Sequence, residues 1–190
     1  MSKRQPTREK LLDITFEEVY IHGYHATSVD TILQKAGIPK GSMYHHFKSK
    51  RAMVMAMMQE RLFPKMDEFF LFDRQQGKSV RESLRNTYAA MAKNKPLITY
   101  GCPLYRLMVE LSPVDIEFDE LLSGKVTEMR SRLSDLLVEG IKEGEFDTTL
   151  DTDAYADLIL NATWGVLSLS PSLSSSRYFL TQSKLILDLL

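Results

Sequence analysis

Cysteine is almost absent from this sequence, because Cys102 is the only thiol among 190 residues. A single thiol excludes an internal disulfide framework and a zinc site built from several thiolates, so Cys102 is either a small apolar side chain or a reactive thiol. No stretch approaches the roughly 18 uncharged residues of a membrane span. The polar, basic start MSKRQPTREK also has no apolar segment of the secretory kind. These absences favour a cytoplasmic protein.

Catalytic and metal-binding motifs are also missing. The sequence contains no GxSxG, no Walker loop GxxxxGK and no GxGxxG. Adjacent His45 and His46 would point about 100° apart on a helix and cannot chelate one ion, while His22 and His25 lack partners at ligand spacing. The acidic residues within 147–157 lack the order of a calcium-binding loop, and helix starts favour acidic residues anyway. We therefore expect no enzyme, no metal and no cofactor.

The formal net charge is only −1, but the charge is unevenly distributed. Residues 1–55 carry nine Lys and Arg against five Asp and Glu, whereas the remainder carries fifteen against twenty. Charge runs are often no more than solvated faces. The N-terminal quarter is nevertheless the part of the chain suited to a polyanion such as DNA.

What the sequence does contain is helical periodicity, with no strand alternation, internal repeat or sustained heptad. Three short helices are predicted near the N-terminus, over residues 7–23, 27–37 and 39–47, with Thr27 as the cap of the second. Ser49 then caps a long helix that ends at Pro64. Six further helices are predicted near Asp67–Arg74, Ser79–Asn94, Leu97–Leu111, Ile116–Gly140, Asp151–Leu169 and Ser174–Leu190.

The stretch GIPKGSMYHHFKSK, residues 37–50, fits the second half of a helix-turn-helix, whose second helix enters the major groove of DNA. At 100° per residue, Met43 and Phe47 share one narrow sector and should face the core. Gly41, Ser42 and His45 then lie on the opposite side, with Tyr44 between the two faces. The outward face is therefore small or hydrogen-bonding, as a DNA-reading helix requires.

Each outward side chain suits one kind of DNA contact. Gly41 allows close approach, and Ser42 offers a hydroxyl to a base edge or a phosphate. Tyr44 and His45 can donate to phosphate oxygens. Three lysines add positive charge around this helix: Lys40, Lys48 and Lys50.

The segment TSVDTILQKAGIPKGSMYHHFKSK, Thr27 to Lys50, resembles the DNA-binding signature of the TetR family of bacterial transcriptional regulators. The wider match covers about residues 7–52, and Pro39 departs from it where the family usually has Ser or Thr. The resemblance implies phosphate contacts from Thr27, Tyr44, His45 and Lys50, and groove contacts from Lys40, Gly41 and Ser42. Ser28 and Lys48 complete the predicted DNA-binding set.

The resemblance also implies an all-α fold with two parts. We expect a helix-turn-helix domain over residues 1–50 and a larger helical domain over 51–190 that binds an effector and dimerises. The implied function is a homodimeric, ligand-responsive regulator, most simply a repressor, that binds a palindromic operator. Two alternatives stay open: a regulator that senses electrophiles or oxidants through Cys102, and a helical small-molecule-binding protein that never meets DNA.

An effector cavity is predicted among the central helices, where large apolar or amphipathic side chains remain after the other sites are assigned. Its predicted lining is Met57, Phe69, Tyr88, Met91, Cys102, Tyr105, Met108 and Trp164. Glu110 is a weak hint at a cationic ligand, although a solvated surface carboxylate explains it as well.

Two interpretations of Cys102 remain. Its place between Gly101 and Pro103 suggests the start or a break of a helix, where free N–H groups lower the pKa of a thiol, and Arg106 lies one turn further on. The alternative is an inert small hydrophobe in a helical core.

A stripe of mostly small residues predicts the dimer interface. Ala154, Leu158, Ala162 and Gly165 recur at i, i+4, i+8 and i+11, which lets a second helix approach closely. The last helix adds Phe179, Ile186 and Leu190. Two such helices from each chain can form a four-helix interface about a two-fold axis, with packing inside one chain as the alternative explanation.

Overall fold

The computed structural model describes residues 4–70, 72–173 and 175–190. All regular elements within these residues are helical and no strand occurs among them, which confirms the expected all-α fold. The helices are α1 (Arg4–His22), α2 (Val29–Ala36), α3 (Lys40–Tyr44), α4 (Lys50–Met57), α5 (Phe63–Phe69), α6 (Val80–Lys93), α7 (Lys95–Tyr100), α8 (Pro103–Leu111), α9 (Ile116–Lys142), α10 (Thr152–Leu173) and α11 (Ser176–Leu187).

Helices α1 to α3 form the small N-terminal unit that we call the head. Its core contains Leu11, Leu12, Ile32, Met43 and Phe47, all buried. Together these side chains fix α3 against α1 and α2 with one face inward.

Three local details in and beside the head are decided by hydrogen bonds. Ser28, not Thr27, caps α2, since its hydroxyl oxygen accepts from the amide of Thr31. The cap at Ser49 is confirmed by the amide of Ala52. The third helix ends at Tyr44 rather than at residue 47, because the amides of residues 46 and 47 both turn back to the carbonyl of Met43.

The prediction that a helix ends at Pro64 was wrong. A single π-helical turn, Met58–Leu62, joins α4 to α5, so the path continues through Pro64 to Phe69. Proline cannot donate to the carbonyl four residues earlier, and here that carbonyl, of Glu60, accepts from Arg61 Nη1 at 3.0 Å. The π turn lies directly before α5, and Pro64 is the second residue of α5.

Two other predicted helices also required correction. The segment predicted as a helix over 67–74 is helical only up to Phe69. The described residues from Phe70 to Lys78 contain no helix. The helix predicted over 97–111 is split into α7 and α8 at Gly101, where φ is +80°. A Cβ atom there would lie 3.2 Å from the carbonyl oxygen of Leu167, so both the backbone angle and the space favour glycine.

The larger part of the molecule packs α6 to α11 around a second region of core. Helix α10 packs on α9 and α11, and α11 packs on α6. Helix α10 continues through Pro171 to Leu173, beyond its predicted end at residue 169. Among the described residues, no helix is both long and apolar enough to cross a membrane.

Candidate DNA-binding face, effector cavities and dimer surface

Helix α3 has the two-sided character expected of it. Met43 is fully buried and Phe47 nearly so, which confirms the predicted inward face. On the other side Tyr44 is 52% exposed, and Gly41 and His45 are exposed as well. The helix is thus anchored from within and presents small and hydrogen-bonding groups to the outside.

Gly41 has no structural reason to be glycine. Its φ lies outside the left-handed region, and a Cβ atom built on it would meet no atom within 4 Å. Alanine would fit and would favour the helix. An outer partner that approaches the backbone closely is one physical reason for a glycine at this position.

The lysines around α3 differ in their freedom to bind a phosphate. Lys48 is exposed. Lys40 donates to Asp30 Oδ1 at 3.1 Å, a fully exposed pair in which the carboxylate raises the pKa of the lysine. Because such surface pairs contribute little, Lys40 can exchange Asp30 for a phosphate.

Lys50, in contrast, is engaged inside the molecule. Its ammonium donates to the carbonyl of Tyr24 at 2.5 Å and lies 4.2 Å from the centroid of the Tyr24 ring. Burial lowers its pKa. This lysine ties the start of α4 to the turn after α1, and a phosphate contact would require that tie to break.

The two hydroxyl residues before α2 also differ. Thr27 is only 2% exposed, and its hydroxyl donates to the carbonyl of Gly23 at 2.7 Å. Ser28 is exposed at the helix start. The side chain available to a phosphate is therefore that of Ser28, not that of Thr27.

Sequence reasoning missed the contacts that hold the head against the larger domain. Glu110, on α8, accepts from the amides of Tyr24 at 2.9 Å and His25 at 2.7 Å. Tyr20 donates its hydroxyl to the carbonyl of Gly101 at 2.8 Å. The weak hint that Glu110 binds a cationic ligand is corrected here, because both of its oxygens are used by backbone amides.

A bidentate ion pair joins the first turn of α4, directly after the head, to the residue that caps α9. Arg51 donates through Nε and Nη2 to the two carboxylate oxygens of Asp115, both at 2.9 Å. The guanidinium lowers the pKa of Asp115 to about 2. Because Glu110 and Asp115 lie more than fifty residues from their partners in the sequence, helical periodicity gave no signal for these contacts.

Some of the predicted effector residues line three separate cavities. The first, of about 330 Å³, separates α1 and α2 from α5 and α7; we call it the interdomain cleft. Its lining includes Phe16, Glu18, Lys35, Lys65, Phe69 and Leu97. The second, the α8 cavity, measures about 670 Å³ and includes Cys102, Tyr105, Arg106 and Glu110. The third, of about 290 Å³, lies between α6 and α11 and includes Tyr88.

The structure does not bring the eight predicted effector residues to one cavity. Phe69 lines the interdomain cleft, Cys102 and Tyr105 line the α8 cavity, and Tyr88 reaches only the third. The other four, Met57, Met91, Met108 and Trp164, line none of these three cavities. Met57, Met91 and Trp164 are instead buried in packed core.

Cys102 is enclosed rather than activated. It is 2% exposed, and burial raises the pKa of its thiol to about 11. The amides of Leu104 and Tyr105 act in the opposite direction, as expected at a helix start, but desolvation outweighs them. Arg106 donates to the carbonyl of Tyr100 at 3.0 Å. Of the two interpretations of Cys102, burial favours the inert small hydrophobe.

Comparison with known proteins decides the family. The model described as "Bacterial regulatory proteins, tetR family" matches residues 11–57, and the model described as "Tetracyclin repressor-like, C-terminal domain" matches residues 79–180. This chain belongs to the TetR family of bacterial regulators. The resemblance seen in residues 27–50 is confirmed, and with it a family of DNA-binding helix-turn-helix transcription regulators.

Individual relatives of this chain are also transcriptional regulators. An uncharacterized HTH-type transcriptional regulator in the lacX 3′ region of Lactococcus lactis is 32% identical over 144 residues, covering 70% of this chain and 72% of the relative. The HTH-type transcriptional repressor DhaR of a Mycobacterium species is 31% identical, covering 85% and 80%. A TetR transcriptional regulator from Chloroflexus aurantiacus has the same fold, with a TM-score of 0.87 at 24% identity, covering 99% and 96%.

The outer surface of α10 and α11 in this TetR-family chain is rich in leucine. Six leucines of α10, α11 and the turn after α11 are between 44% and 56% exposed: Leu158, Leu169, Leu173, Leu180, Leu185 and Leu189. We call this surface the leucine face. Of the predicted stripe, Ala154, Leu158 and Gly165 are exposed and Ala162 is half-buried, so the stripe lies along the same outer side of α10.

The predicted contribution of α11 to a dimer interface must be corrected. Phe179 is fully buried and Ile186 is 6% exposed, because both side chains pack inside their own chain. Leu190 is half-buried against the same core. The apolar side chains that α11 offers outward are the neighbouring leucines, one position away from those predicted.

Proposed function

We propose that this chain is a ligand-responsive transcriptional repressor that binds an approximately palindromic operator as a homodimer and is released by a small-molecule effector. The observation that carries the proposal is the outer face of α3. It holds a glycine that the fold does not need, beside an exposed tyrosine and histidine. Such a regulator acts on chromosomal DNA, so we expect it in the cytoplasm.

In this proposal each residue of the head has a distinct role. Gly41 and Ser42 approach the base edges in the major groove. Tyr44, His45 and Lys48 contact phosphates, which position α3 without reading sequence. Lys40 joins them by leaving Asp30, and Ser28 adds a hydroxyl at the start of α2. Thr27 and Lys50 support the head from within.

A homodimer follows from the limits of a single reading helix. One helix-turn-helix contacts too few bases to select a site, and paired heads read two half-sites related by symmetry. The exposed apolar side chains of the leucine face support the proposal, because a two-fold interface would cover them. The relative DhaR is named a transcriptional repressor, which supports the same direction of control here.

A salt titration of DNA binding tests the proposal. The test uses a duplex from the promoter of the chain's own gene. The logarithm of its binding constant should fall linearly with the logarithm of the salt concentration, with a slope of about −0.9 for each phosphate neutralised. A duplex of equal length and shuffled sequence is the control and should bind more weakly. Absence of salt-dependent binding to any promoter duplex would reject the repressor function.

A further inference from the structure

We propose that the effector binds in the interdomain cleft and is an aromatic or branched apolar carboxylic acid. This inference rests on the proposed function, since it names the site and the ligand class through which the repressor would be released. The cleft touches the head through α1 and α2 and the larger domain through α5 and α7. Its volume of about 330 Å³ lies at the lower end for small-molecule sites, which favours a small ligand.

The walls of the cleft suit a flat apolar group. The ring centroids of Phe16 and Tyr20, both on α1, lie 5.7 Å apart. The ring of Tyr100 packs edge to face on the ring of Tyr20, also with 5.7 Å between the centroids. Phe69 and Leu97 line the opposite side. Aromatic walls of this kind bind ring-bearing or branched ligands by burial and stacking.

Two of the four charged residues that line the cleft are already neutralised by each other. The carboxylate of Glu18 is 4% exposed and accepts from Lys35 Nζ at 2.5 Å. Glu18 is therefore satisfied from within the protein. Neither Glu18 nor Lys35 needs a ligand of opposite charge.

Lys65 is the charge left over for a ligand. It is half-buried on α5, its Nζ lies 5.3 Å from the centroid of the Phe16 ring, and no carboxylate of the described residues lies within 4 Å of it. Glu17 is also unpaired, but it is exposed to solvent at the rim. The half-buried free charge beside the ring of Phe16 is thus positive, and a carboxylate complements it.

The α8 cavity is larger, but its charged groups are already in use. Arg106 donates to the carbonyl of Tyr100, and Glu110 accepts from the amides of Tyr24 and His25. A carboxylate there would meet Arg106 and also the like charge of Glu110. The interdomain cleft offers Lys65, whose ammonium contacts the ring of Phe16.

The position of the cleft gives a bound ligand a means of control. Any occupant contacts the head on one side and, on the other, α7, which packs on α10 of the leucine face. A ligand that fits only one angle between these parts shifts the population toward that angle. By linkage, a ligand that weakens operator binding must itself bind less tightly to the operator complex, by the same factor.

The test uses two probes with the same ring and opposite charge, 2-naphthoate and 2-naphthylmethylammonium, with affinity measured by calorimetry on the full chain. Naphthoate should bind more tightly than the amine. Lys65→Met should weaken naphthoate about fivefold, since it removes the charge and keeps the apolar stem. Ile21→Trp, at an exposed position of the cleft lining, should weaken both probes by filling the cleft.

Matched controls separate the cleft from the rest of the surface. Lys142→Met removes an exposed lysine at the end of α9, and Val114→Trp adds the same bulk at a position that is 70% exposed and outside the cleft. Both should leave naphthoate affinity unchanged. The site would be overturned if the wild type, Lys65→Met and Ile21→Trp bound naphthoate with equal affinity, or if no naphthoate bound at about 1 mM. Tighter binding of the amine would overturn the ligand class.

Operator binding, measured with and without naphthoate, separates this inference from the proposed function. Saturating naphthoate should lower operator affinity about tenfold, within the usual range of coupling energies. Unchanged operator affinity with naphthoate in the cleft would overturn the coupling. If naphthoate binding depends on Lys65 but no promoter duplex binds, the site stands and the repressor function fails. If the operator binds but the cleft variants leave naphthoate affinity unchanged, the function stands and the site fails.

Discussion

The outer face of α3 and the leucine face of α10 and α11 expose opposite chemistry. Helix α3 and the turn after it place their apolar residues, Met43 and Phe47, inward and offer glycine and hydrogen-bonding groups to the outside. Helices α10 and α11 bury one set of apolar side chains and, with the turn after α11, still expose six leucines. The first surface is small and hydrogen-bonding and suits a polyanion, whereas the second gains free energy when a matching apolar surface covers it.

The largest expected effect comes from breaking the leucine face. Leu158→Asp should raise the dissociation constant of the dimer by at least about 100-fold, because each chain would bury an unpaired carboxylate near the two-fold axis. Operator affinity should fall with it, since the two heads would no longer be joined. Sedimentation and operator titration measure both quantities.

A control of equal chemistry keeps this result specific. Ile116→Asp places the same charge at a residue that is 70% exposed in the first turn of α9, where an acidic residue is favoured. The control should remain a dimer and bind the operator normally. A dimeric Leu158→Asp protein would show that the leucine face is not the interface.

Cys102 is enclosed in the core, in contrast to the exposed side chains of α3 and the leucine face. Since burial raises the pKa of its thiol to about 11, the thiolate at pH 8 should be about 100-fold scarcer than for an ordinary cysteine. Alkylation by iodoacetamide should therefore be at least that much slower in the folded protein than in guanidinium. Equal rates in the two states would revive the thiol-sensing alternative.

Tyr44 tests whether α3 positions the protein on phosphates. Tyr44→Phe should weaken binding about tenfold, because a hydrogen bond to a charged acceptor is lost, and it should do so equally for the operator and for shuffled duplexes. Tyr178→Phe removes a hydroxyl on α11 and should change nothing. A change in sequence preference with Tyr44→Phe would show that this hydroxyl reads bases instead.

Ser42 should give the smallest and most selective effect. Ser42→Ala removes one hydroxyl at the groove, which corresponds to at most about fivefold in discrimination between operator variants. Competition among single-base variants of the operator measures this preference. An unchanged profile would remove Ser42 from base reading.

The parts of this fold that local sequence controls were predictable. The inward face of α3 follows from the spacing of Met43 and Phe47, and the Ser49 cap follows from a hydroxyl at a helix start. The cap of α2 was misassigned because two hydroxyl residues stand side by side. A hydrogen bond to Gly23, on the preceding turn, decides that Thr27 turns inward and that Ser28 is the cap.

The larger domain was harder to predict because its surfaces depend on distant partners. Helix α11 has apolar residues on more than one side, so periodicity alone could not tell that Phe179 packs inward while Leu180 stays outside. The interdomain cleft joins Phe16 to Leu97, which are 81 positions apart in the sequence. No local pattern reports such a junction, and the predicted effector residues were accordingly dispersed.

Gly41→Ala offers the most direct test of the central claim that α3 reads DNA. The fold has room for the methyl group, and alanine should raise helix stability by about 0.5–1 kcal/mol. We expect Gly41→Ala to be no less stable and to bind the operator at least about tenfold more weakly, while Gly124→Ala, with equal space on α9, binds normally. Unchanged operator affinity in Gly41→Ala, measured beside wild type at the same salt concentration, would contradict the assignment of α3 as the reading helix.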